Sequence, residues 1–151
     1  MCVKIITDME FIEQFIFGDP EMVDRLSDDY TDHNQFFPQF QMWVGFYEDN
    51  VFKAILSVEK VSSVVLKVHI HIPNIHRGER SFHMANVLLK WVEKHSDSRY
   101  VKINAEIPEY HKDVIRFAEK NGFKIFGVDE KSHMKNGKLH SRVFLTKPIK
   151  R

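Results

Sequence analysis

The stretch from Ser63 to His95 restricts the fold more than any other part of the chain. It opens with SVVLKVHIHI, whose closing alternation puts Val68, Ile70 and Ile72 on one face of a strand and His69 and His71 on the other. Pro73 has no N–H to offer a ladder and stops the strand. From Ser81 to His95 the apolar period lengthens to that of a helix, with Ala85, Leu88, Leu89 and Val92 as its core stripe. A few polar residues later YVKINAEI reads as a short buried strand. Strand, crossover helix and returning strand make a mixed sheet.

The remaining elements fall around this unit. CVKIIT reads as a strand, and Asp8 caps a helix with Phe11, Ile12, Phe15 and Ile16 on one face. Gly18 and Pro20 end that helix, and Pro20 stands where it opens a second one containing Met22, Val23 and Leu26. DDYTDHNQFFPQFQ breaks all periodicity and is expected to be a loop. MWVGFYEDNVFKAILSVEKV carries two β-rich runs around Asp49-Asn50, a hairpin signal. HKDVIRFAEKNGF is a helix with Val114, Phe117 and Ala118 inward and Gly122 as its cap. FKIFGVDE and LHSRVFLTK pair across KNGK, where Asn136-Gly137 suits a tight turn. The order is strand, two helices, three strands, helix, strand, helix, two strands. That is an α+β fold with a mixed α/β sheet, expected as one domain over residues 1–151, with no repeat or linker dividing it.

Composition excludes several functions. A net charge of +1 provides no global drive toward nucleic acid or an anionic membrane, and the basic KPIKR end is a short solvated tail. A single cysteine, Cys2, rules out an internal disulfide framework and fits a reducing compartment. MCVKIITDMEF reaches an acid at Asp8 without the apolar core of a signal segment, so the cytoplasm is the expected location.

The turn between strand and helix suits an anion. A helix N-terminus exposes unpaired N–H groups and a partial positive charge, which match a pyrophosphate. Gly78 allows close approach of the backbone, and Arg77 and Arg80 can add charge-assisted bonds. A plain connection with exposed arginines is the alternative. His69 and His71 share a face, and with His76 nearby they raise the question of zinc. A helix follows them where a barrel site would need another strand, so no metal is expected.

Two stretches resemble the GCN5-related N-acetyltransferase superfamily, and the element order is similar over essentially the whole chain. IHIPNIHRGERSFHMANVLLKWVEKH resembles that family's acyl-CoA segment, a central strand ending at an Arg/Gln-x-x-Gly-x-Gly/Ala loop that opens a helix. IPEYHKDVIRFAEKNGFKIFG resembles its later segment, Asn-x-x-Ala-x-x-Phe-Tyr-x-x-x-Gly-Phe, with Phe117, Gly122 and Phe123 at matching places and His111 where asparagine is usual. Ala118 stands where many members carry a tyrosine that protonates the leaving thiolate. One register of the loop begins at Arg77-Gly78 and sets Arg80 and Phe82 at the small-residue positions; another sets His76, Glu79 and Ser81 at the motif positions. The resemblance implies transfer of an acyl group, acetyl first, from acetyl-CoA to an amine by direct attack in a ternary complex. It implies contacts to the acyl-CoA from residues 76–82, His111 and Phe117, with an oxyanion met by backbone N–H groups near Ile70–Ile72.

Within that chemistry the amine must lose a proton, since a free ammonium has a pKa of roughly 10. His69 or His71 is the expected base, and Glu59 on the preceding strand can orient it or act through water. Cys2 has no neighbouring base in sequence and is not expected to relay the acyl group. The rival reading keeps the fold and drops the catalysis, as in acetyltransferase-like proteins of tailed phages that are similar in general character and serve in virions or head assembly. There Phe36, Phe37, Phe40 and Trp43 would form a patch for a protein partner or a second copy, where an enzyme would use them to wall an acceptor pocket. Core filling is a further alternative for them.

Overall fold

The computed structural model describes residues 2–31 and 41–151. Its elements are β1 (Cys2–Ile6), α1 (Met9–Phe17), α2 (Pro20–Leu26), β2 (Gln41–Glu48), β3 (Val51–Lys60), β4 (Val65–His71), a 3₁₀ turn (Asn74–His76), α3 (Glu79–His95), β5 (Lys102–Pro108), α4 (Lys112–Lys120), β6 (Lys124–Lys135) and β7 (Lys138–Pro148). Seven strands make one sheet in the order β1-β2-β3-β4-β5-β7-β6. Only β4 and β5 run parallel, as the crossover through α3 requires; the other neighbours are antiparallel.

Local chemistry accounts for the boundaries. The Asp8 carboxylate accepts the Phe11 N–H and starts α1, and Asp19 does the same for Met22 with Pro20 at the first helical position. Asp49 and Asn50 lie at φ 53 and 62, and Asn136 and Gly137 at φ 54 and 74, the left-handed pairs of tight hairpin turns. α3 begins two residues before the stripe suggests, because Gly78 takes φ 124 and releases its N–H to the Ser81 hydroxyl at 2.9 Å. At the end of α4 the turn to the left-handed region falls at Gly122, φ 94, one place beyond the Asn121 cap.

Alternation then divides the core in two. Leu56, Val58, Val68, Ile72, Ile103, Ala105, Val143 and Leu145 meet Met84, Leu88, Leu89 and Val92 of α3 on one face. Ile55 and Trp43 meet Ile12, Ile16 and Met22 of α1 and α2 on the other. Trp43 is buried in this smaller core and so is not part of an exposed patch. Phe36, Phe37 and Phe40 lie outside the described residues. No helix among the described residues is long and apolar enough to cross a membrane.

Candidate active site

The parallel ladder is short. It joins Val65 to Lys102, Leu66 to Ile103 and Lys67 to Asn104, then ends. Beyond it β4 continues on β3 as far as His71 opposite Ile55, while β5 continues on β7 as far as Pro108 opposite Arg142. The two central strands therefore part, and the β5-facing edge of β4 after Lys67 carries backbone groups without a ladder partner. A cavity of about 500 Å³ fills the gap, within the usual size of a small-molecule site. It touches both sides of the sheet: Gly78, Ser81, Phe117, Ala118 and Asn121 on the α3–α4 side, and Met22, Arg25, Leu26, His133 and Arg142 on the other.

His69 and His71 stand on the wall between, on the α1–α2 face, with parallel rings whose centroids are 6.4 Å apart. Burial pushes the His69 imidazole down to about 4, helped by the Lys67 charge and opposed by Glu59. Burial and the neighbouring His69 push His71 to about 3, and its Nδ1 has no hydrogen-bond partner. Both are neutral at pH 7. Strand β4 lies in the middle of the sheet, and desolvation holds both imidazoles below their ordinary range.

Glu59 does not line the cavity. It sits 3.5 Å from Lys67, itself 3.9 Å from Glu106, which bonds Arg142 at 3.1 Å; Arg142 bonds Asp129 at 3.0 Å. A row of alternating charges thus crosses β3, β4, β5, β7 and β6, and Glu59 reaches His69 only through its field.

The expected CoA residues separate in the same way. Ile70, Ile72, Arg77, Gly78, Ser81, His111 and Phe117 line the cavity. Arg77 ties the strand end to α2, its Nε donating to the Ile72 carbonyl at 2.8 Å and its Nη1 to Glu21 at 3.2 Å. His76, Arg80 and Phe82 are not on the wall; Arg80 pairs with Glu48, and Phe82 is exposed. Glu79 is the first residue of α3 and contributes its backbone to that N-terminus. The small buried Ser81, not Arg80 or Phe82, is what α3 turns toward the cavity.

Met22, Arg25, Leu26, His133 and Arg142 had no signal in the sequence as wall residues. They come from α2 and the β6–β7 hairpin, far apart in the chain, and only the sheet order brings them together. The Nε2 of His133 lies 2.8 Å from the Tyr110 hydroxyl, and the Nε2 of His111 lies 3.2 Å from the Arg25 carbonyl.

A seven-stranded mixed sheet split at its parallel pair, with a glycine-started helix at the split, is the fold of the GCN5-related N-acetyltransferases. Among solved structures, the chain is similar to spermidine N-acetyltransferase from Vibrio cholerae, solved in complex with CoA and spermine, at TM-score 0.77 and 12% identity over 98% of this chain and 95% of that one. It is similar to ribosomal-protein-alanine N-acetyltransferase from Brucella melitensis at TM-score 0.72 and 12% identity over 98% and 99%. An acetyltransferase of the GNAT family from Streptococcus pneumoniae matches at TM-score 0.72 and 11% identity over 98% and 99%. No protein-family model and no curated protein matches the sequence.

Proposed function

We propose that this chain is an acyl-CoA-dependent N-acyltransferase that passes an acetyl group directly to an amine. The observation that carries the reading is the split between β4 and β5, which leads from the N-terminus of α3 to the histidine wall. CoA fits that path. A Cβ placed on Gly78 would meet nothing within 4 Å, so the turn is open toward a ligand, and the N–H groups of the first turn of α3 suit its pyrophosphate. The unpaired edge of β4 supplies hydrogen bonds for an extended chain bearing amides, and Asn121, with its Oδ1 unpartnered, adds an acceptor on the opposite wall.

When bound, the thioester supplies the acyl group. Backbone N–H groups near Ile70–Ile72 meet the developing oxyanion. His69 and His71 offer neutral ring nitrogens to the amine and orient it; with pKa values of about 4 and 3 they do not retain its proton at pH 7. Glu59 serves indirectly, by fixing Lys67 beside His69. The thiolate, whose thiol has a pKa of roughly 8.5, leaves without a tyrosine at position 118.

Calorimetry with acetyl-CoA, followed by turnover with spermine, an amino-acid amide and an aliphatic monoamine, tests the reading. Binding and a His69→Ala variant with kcat at least tenfold below wild type are expected. Absence of binding at millimolar CoA would overturn it and favour a fold kept for assembly.

A further inference from the structure

Granting the acyltransferase reading, the destination of the amine's proton is legible in the hydrogen bonds of one side chain. His111 lines the cavity just ahead of α4, in the segment that packs on the end of α2. Its Nε2 lies 3.2 Å from the Arg25 carbonyl oxygen. A carbonyl has no proton to give, so Nε2 carries the hydrogen and donates it. In the neutral ring this leaves Nδ1 as the free lone pair. His111 makes no side-chain cap to α4, so the helix does not claim that nitrogen.

The cavity's other histidines are placed differently. His69 and His71 sit in the sheet, where desolvation nearly abolishes proton uptake. His133 has its Nε2 engaged by Tyr110 at 2.8 Å, and burial of that phenol favours its protonated, donating form. We propose that His111 is the proton acceptor of the transfer, acting through Nδ1 while the Arg25 carbonyl holds its ring. Its charged and titratable surroundings are Arg25 from α2, Asp113 from the first turn of α4, His133 from β6 and its neighbour Tyr110. Burial, Arg25 and His133 lower its proton affinity; the Arg25 carbonyl and Asp113 raise it. Arg25 and Asp113 are themselves paired at 3.0 Å, so their opposite charges offset one another at the cavity wall.

The balance is simple. The ammonium gives one proton to Nδ1, and the freed nitrogen pair forms the C–N bond at the thioester carbonyl. The C–S bond breaks, the sulfur keeps the electron pair, and the second proton of the amine nitrogen neutralises the thiolate. The imidazolium then returns its proton to water.

His111→Gln tests this, because the glutamine amide can still donate to the Arg25 carbonyl but has no basic nitrogen. With acetyl-CoA and the best amine of the panel above, kcat at pH 7 should fall on the order of 100-fold or more. The limb of the kcat profile set by His111 should vanish, leaving a rate that climbs with pH. A kcat within threefold of wild type, or an unchanged limb, would overturn the assignment. Nitrogen NMR of the free protein is the second arm, independent of any amine: His111 should be the Nε2–H tautomer, and an Nδ1–H tautomer would overturn the proposal. Failure of the wild-type chain to acetylate any amine of the panel would instead remove the acyltransferase reading, and the base with it.

Discussion

His71 is only 6% exposed, and His69 beside it is half-buried, so both fold as neutral imidazoles. The unfolded chain binds a proton at each below pH about 6.5, whereas the folded chain resists until about 4 at His69 and about 3 at His71. Between those limits the unfolded state holds more protons, so stability falls as pH drops. The slope for each fully resisting histidine approaches 1.4 kcal/mol per pH unit, as an order of magnitude. Asp28 and Asp113, held low by hydrogen bonds that oppose their desolvation, add to the loss only nearer pH 4. Urea melts at pH 7, 6 and 5 should therefore show a declining midpoint, and His71→Leu should flatten part of it. An unchanged slope in that variant would mean His71 is not the neutral buried group described.

At the scale of elements, the end of α2 and the segment after it are fastened to the tip of the β6–β7 hairpin and so shape that side of the cavity. Lys135 donates to the carbonyls of Asp24 at 2.6 Å and Ser27 at 2.9 Å, and the Asp29 carboxylate takes the N–H groups of Asn136 at 2.9 Å and Gly137 at 2.8 Å. Asp29→Ala should speed amide exchange at Asn136 and Gly137 with little change in the global melting temperature; exchange as slow as wild type would show the clasp to be idle. Nothing in the local sequence announced this clasp, since Asp29 and Gly137 are joined only through the fold. The order of elements was legible, because periods of two and of 3.6 and two left-handed turn pairs punctuate the chain. The faces of β4 were legible for the same reason. The point where β4 leaves β5 was not, because the alternation of polar and apolar residues runs on through Val68 and Ala105 just as it does through the last pairs, Leu66 with Ile103 and Lys67 with Asn104. The two hairpin strands β6 and β7 also run longer than their apolar cores suggested, as Lys131 through Lys135 are polar or charged save for Met134. That part of the ladder pairs His133 with His140, Met134 with Leu139 and Lys135 with Lys138, beyond an irregularity between Asp129 and His133.

For the whole molecule, the split is an interruption in an otherwise continuous sheet, and a ligand lying in it should restore part of what the missing ladder gives up. Anything that binds the folded chain alone stabilises it by mass action, about 2.7 kcal/mol at one hundred times its Kd. For a chain of this length that is a rise of roughly 5–10 °C in Tm. Ala105 decides whether the effect belongs to the split, since it is a small, buried wall residue on β5 just past the last paired residue, Asn104. Ala105→Phe places a ring in a cavity of about 500 Å³, so the usual overpacking cost is relieved by available space. The variant should melt near the wild-type temperature without ligand and gain no stability from CoA, because the path between the strands is blocked. If CoA stabilises Ala105→Phe as fully as the wild type, the ligand lies elsewhere and the split is only a gap in the sheet. If the variant melts far lower on its own, the cavity is less roomy than described, and Ala105→Leu becomes the informative substitution.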